Sequence, residues 1–204
     1  MIAGKYIAKV VTWIGSVHWA PKNLLTDDEQ NHIRTLLAEN YYIMLSRRNN
    51  HLSTYAISLV NLFLEGRFGY WAHAFMNTEN TVTSDGDFRI LEAIGSGVKY
   101  DPFSEVFNVN AVVLLKPRSM PVEDWTRVLD KAKSELGKPY DSLFDLKSDS
   151  ALSCVELVRT ALMAEPDYAT NFADFERLIQ KHGNLSPQMF YDCKDFEVVY
   201  EVRR

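Results

Sequence analysis

Leu152-Ser153-Cys154-Val155-Glu156-Leu157-Val158 reads as the first turn of an apolar helix that continues through Ala161 and Leu162 until Pro166 stops it. A thiol at such a place feels the positive end of the helix dipole and the unpaired N–H groups of the first turn. Both favour thiolate over thiol. Cys154 is therefore a candidate nucleophile, and a fold that serves it must bring a general base and an orienting group from elsewhere in the chain.

The segments around this helix point to an α+β fold with an antiparallel sheet and packed helices. Just upstream, 138–149 has no period and carries Pro139, Tyr140, Asp141, Asp145 and Asp149, as expected of a loop that shapes a site. Its aspartates lack the glycine and closing glutamate of a calcium loop. Before it, Pro121 opens a helix over 122–136, with Glu123 and Asp124 in the first turn and Gly137 past the end. Thr26 with Glu29 forms a capping-box signature for a helix reaching Glu39. Ser53 or Thr54 is placed to cap another that ends near Gly66, and 172–182 reads as a helix closed by Gly183. Strands are expected over 41–45, 73–77, 88–93, 111–115 and 196–202, the second and third joined as a hairpin across 78–87.

The bulk properties fit a soluble globular chain. Its 204 residues are 47% hydrophobic and 24% charged, within the range of one domain with a substantial core. A net charge of −5, with no Lys/Arg stripe, argues against nucleic acid as a partner. The two cysteines, Cys154 and Cys193, make neither a disulfide framework nor a zinc motif, so no metal and no cofactor are expected, and a reducing compartment is the simpler assumption. Residues 1–20 are broken by Lys5, Lys9 and His18 and resemble neither a signal peptide nor a membrane span, which leaves a cytoplasmic or virion-associated location. Within them Ile2, Tyr6, Val10, Trp13, Ile14 and Val17 draw one apolar helix face. That face suits packing on the domain or on a larger assembly, with a membrane surface as the weaker alternative. The expected division is an N-terminal helical extension over 1–40 and a domain over 41–204.

Two upstream residues have the chemistry that Cys154 needs. His73 begins the strand in Tyr70-Trp71-Ala72-His73-Ala74-Phe75-Met76, and an imidazole can both take the thiol proton and return it to a leaving group. Glu92, in Arg89-Ile90-Leu91-Glu92-Ala93, could accept the second ring N–H of His73 if their strands pair. Taken singly, His73 is better explained as a strand-end histidine bonded to a carbonyl, and Glu92 equally well as an outward-facing carboxylate. His18, His32, His51 and His182 are scattered, and Cys193 reads as a small hydrophobe.

The succession of His73, of Glu92 followed by Gly95-Ser96-Gly97-Val98, of Gly137-Lys138-Pro139-Tyr140-Asp141, and of Ser153-Cys154-Val155-Glu156-Leu157-Val158 resembles the circularly permuted branch of the NlpC-type papain-like cysteine hydrolases, the YiiX-like group. In that branch the histidine strand precedes the cysteine helix. The resemblance covers roughly 41–202. It implies a papain-like fold without a cofactor, with Cys154 as nucleophile, His73 as base and acid, and Glu92 as the orienting residue. Tyr140 would stand at the pocket edge, and Trp71 would crowd the site and narrow its substrate range. The implied substrate is an amide bond in cell-wall peptides of a bacterium or its phage. The alternatives are an acyl ester or thioester, or a scaffold that docks in a virion.

Overall fold

The computed structural model describes residues 18–66, 68–84, 86–141 and 150–204. The amphipathic face expected within residues 1–17, and Phe144, Asp145 and Asp149, lie outside them.

The chain is a mixed α+β fold around one antiparallel sheet. In chain order its elements are α1 (Asp27–Glu39), β1 (Ile43–Arg47), α2 (Leu52–Glu65), β2 (His73–Asn77), β3 (Arg89–Ile94), β4 (Gly97–Pro102), α3 (Phe103–Val106) and β5 (Ala111–Pro117). A 3₁₀ turn, Val122–Asp124, then leads into α4 (Trp125–Ser134), followed by α5 (Cys154–Leu162), α6 (Tyr168–Asn171), α7 (Ala173–His182), α8 (Pro187–Asp192) and β6 (Phe196–Arg203). The six strands lie in the order β4-β3-β2-β1-β5-β6, every neighbouring pair antiparallel.

Strand alternation gives the sheet two apolar faces, and helices cover both. Ile43, Leu45, Ala74, Met76, Leu91, Ala93 and Val113 face a core that contains the buried sides of α4, α5, α7 and α8. Tyr42, Met44, Phe75, Ile90, Val112 and Leu114 face a second core closed by Leu25, Ile33 and Leu37 together with Phe103 and Phe107. Ile33 and Leu37 are fully buried, each a gain of about 1.5–3 kcal/mol. The helix placed by sequence in an N-terminal extension is thus part of the domain's own packing. Its capping box forms as expected, with the Thr26 N–H donating to Glu29 Oε2 at 2.8 Å and the Glu29 N–H to Thr26 Oγ1 at 3.3 Å.

Two expectations need correction. The N-cap of α2 is His51, which makes no side-chain capping bond, because the extended chain leaving β1 turns two residues before Ser53. β4 is an additional strand, which pairs with β3 through the two-residue turn Gly95-Ser96 from Ile94↔Gly97 onward. Lys99 and Asp101 on its polar face hide it from a hydrophobicity pattern.

Candidate active site

Cys154 is the first residue of α5, and the helix start is locked around it. Ser153 is the N-cap: its N–H donates to Glu156 Oε2 at 2.8 Å, and the Glu156 N–H donates to Ser153 Oγ at 3.4 Å. This reciprocal box satisfies two donors and leaves the Cys154 N–H, at the first helical position, without an intrahelical acceptor. Val155, Leu157, Val158, Ala161 and Leu162 bury the rest of the helix, which packs against β2, β3 and α4. The S-x-x-E sequence at 153–156 is the local signature of this box.

The loop before this helix is stitched to the start of β4. The Val98 N–H donates to the Lys138 carbonyl at 2.8 Å, the Gly137 N–H to the Val98 carbonyl at 2.9 Å, and the Leu152 N–H to the Pro139 carbonyl at 3.0 Å. Gly97 makes the approach feasible: its φ is +106°, and a Cβ there would sit 2.6 Å from the Lys138 carbonyl oxygen, closer than any side chain tolerates. Tyr140, half-buried against the core that holds Cys154, is carried to the cysteine by this stitching. Its hydroxyl pKa is pushed well up, first by burial and then by the negative groups Cys154, Asp141 and Glu156, so it stays a neutral phenol.

His73 is the first residue of β2, where the strand opposite is Ser46 of β1. Its Nε2 lies 2.6 Å from Glu92 Oε2, and the ring is also hydrogen-bonded to Cys154. With Nε2 committed to the carboxylate, Nδ1 is the nitrogen left for the thiol. The strand register puts Glu92 opposite Phe75, on the same face as His73 and one step along, so that the hairpin itself makes the pair. Burial disfavours an imidazolium here, but the hydrogen bonds to Cys154 and Glu92 and the charges of both outweigh it and raise the His73 pKa to about 10. Burial likewise pushes the Glu92 carboxyl up, and His73, Asp101 and Arg48 together bring it down to about 2. The three residues that sequence placed in one site therefore meet, and the arrangement can move a proton between sulfur and imidazole while a buried carboxylate holds the ring.

Residues 51–200 match the family described as permuted papain-like amidase enzymes, the YaeF/YiiX type, family C92. The chain belongs to this family. It is accordingly a papain-like cysteine amidase, with the histidine strand ahead of the cysteine helix in the chain. The crystal structure of the metalloprotein yiiX from Escherichia coli O157:H7 has a similar fold, with a TM-score of 0.57 and 21% sequence identity over 80% of this chain and 97% of that one. No curated protein matches the sequence. Among the described residues, no group of three or more His, Cys, Asp or Glu side chains is spaced to hold a metal ion, and no helix is long and apolar enough to cross a membrane.

Trp71 does not stand where the sequence suggested. It is fully buried, packed edge-on to Tyr70 and tilted against Tyr191, with the Arg203 guanidinium over its ring. Gln188 of α8 holds the backbone here, since its Oε1 accepts from the N–H groups of Tyr70 and Trp71 at 2.7 and 3.2 Å. Trp71 supports the strand that carries His73 and lines no open surface. Phe75, two residues after His73, is equally buried in the second core.

Proposed function

We propose that this amidase cleaves its substrate through a Cys154-His73-Glu92 triad and an acyl-enzyme, and that the bond is an amide in a cell-wall peptide. The observation that carries the reading is the 2.6 Å contact between His73 Nε2 and Glu92 Oε2, made by a ring that also bonds the thiol at a helix N-terminus. His73 takes the Cys154 proton as Sγ attacks the carbonyl carbon. The Cys154 N–H, free at the helix start, donates to the oxyanion that forms. His73 then delivers its proton to the departing nitrogen, the C–N bond breaks, and the acyl group stays on Sγ. Water attacks that thioester, its proton passes to His73 and then back to sulfur, and the acid product leaves. Glu92 keeps the ring oriented and balances the imidazolium charge throughout.

Trp71 and Phe75 are buried in the two cores and offer no apolar surface to an acyl chain, so the peptide amide stands first. Purified protein incubated with sacculi and, separately, with an acyl ester reporter tests the choice. Release of peptide by the wild type, lost in a folded Cys154→Ala variant, is the expected result. Release of fatty acid alone would replace the substrate class, and unchanged release by Cys154→Ala would replace the mechanism.

A further inference from the structure

The carboxylate that holds His73 is itself held. Glu92 stands directly opposite Lys99 of β4, and Asp101 lies opposite Ile90, so Asp101 is the diagonal neighbour of Glu92 on the same face of the sheet, within reach of its side chain. Both residues are buried, and each carboxyl group is near enough to shift the ionisation of the other. Two carboxylates have only acceptors, so a hydrogen bond between them requires one shared proton.

We infer that Asp101 is a positioning residue of the active site: its protonated carboxyl donates to Glu92, and with His73 it fixes the Glu92 carboxylate from two sides. This rests on the proposed triad and adds a fourth member to it. Glu92 would then take the His73 N–H on one side and the Asp101 O–H on the other, which leaves it little freedom to swing away while the imidazole gains and loses its proton.

The charges around the pair favour this assignment of the proton. Glu92 faces His73 from β2 and the half-buried Arg48 from the segment after β1, both of which favour its ionised form. Asp101 faces the Lys99 ammonium at 2.8 Å, but that side chain is 42% exposed and water screens it. Glu105 of α3 adds a further negative charge close to Arg48 and Lys99. Burial and the Glu92 charge prevail over Lys99, and the Asp101 carboxyl is raised above its ordinary value. A proton shared by the pair is therefore held by Asp101 rather than by Glu92.

The test is made on the full chain with iodoacetamide as probe, reading Cys154 and Cys193 alkylation by peptide mass spectrometry across pH, together with the NMR shift of the His73 ring proton. In the wild type the His73 signal should show a step above the ordinary aspartate range, as the shared proton leaves. Asp101→Asn keeps a donor toward Glu92 but cannot ionise, so the step should vanish while the Cys154 rate stays within about twofold. Asp101→Ala removes the donor and should slow Cys154 about tenfold, the scale of a lost supporting hydrogen bond. Persistence of the step in Asp101→Asn, or a wild-type rate in Asp101→Ala, overturns the inference while leaving the triad standing. A wild-type Cys154 that reacts no faster than Cys193 and ignores His73→Ala overturns the triad, and the inference with it.

Discussion

Cys154 and Cys193 are buried to the same degree, 5% and 4% exposed, and differ in what surrounds the sulfur. Cys154 opens α5 beneath an N-terminal capping box and bonds to an imidazole. Cys193 follows the last residue of α8, where its Sγ accepts the Asp195 N–H at 3.3 Å. Burial pushes the Cys193 thiol far up, and the negative charges of Asp195 and Asp174 add to this against the one backbone hydrogen bond. Removal from water therefore does not make a cysteine a nucleophile; the end of the helix it occupies and the sign of the charge it faces do.

The strongest way to break this contrast is to remove the imidazole. In His73→Ala the alkylation rate of Cys154 at neutral pH should fall by about a hundredfold or more, as expected for loss of a positioned base, toward that of Cys193, whose own rate should not change. A smaller effect should appear in stability against pH, read from thermal melts. The folded-state pKa of His73 lies above its ordinary 6.5, at about 10, so its contribution is complete below 6.5 and is lost as pH rises through about 10. For Glu92, lowered from 4.5 to about 2, the same pair stabilises above about 4.5, and that stability is lost as pH falls through about 2. The melting temperature of the wild type should thus decline between pH 7 and 10 more steeply than that of His73→Ala, while Cys193→Ala should follow the wild type. The smallest effect is expected from Ser153→Ala, which should cost about 1 kcal/mol of stability, the usual worth of an N-cap. It should slow Cys154 alkylation and leave Cys193 untouched; equal effects on both would mean that the helix start does not distinguish them.

Much of the site could be read because its parts are local. The strand over 73–77 was legible from its apolar run, and it places His73 at a strand start. The box Thr26-x-x-Glu29 and the glycines at 66 and 183 marked helix ends through backbone chemistry that needs no partner, and both glycines adopt the left-handed conformation, φ 74° and 67°. Asp101 and β4 were missed for the opposite reason. A strand that carries Lys99 and Asp101 on one face shows no apolar period there, and that polar face is explained only by Glu92 on the neighbouring strand. The place of Trp71 is not legible, because an aromatic next to a candidate base looks the same in sequence whether its ring turns outward or, as here, packs inward against Tyr191 and Arg203, far along the chain.

By itself the sequence determined most of the elements, the caps built from local side chains and glycines, and the order of histidine, glutamate and cysteine, since dihedral preference, capping and side-chain period act within a few residues. Only the tertiary structure decided which side chains meet: that the β2–β3 register sets Glu92 beside His73, that Gly97 lets the Lys138 loop close on β4, and that Asp101 faces a carboxylate. Periodicity states which face of an element is apolar. It does not state what lies across from a polar one, and proton transfer depends on that neighbour.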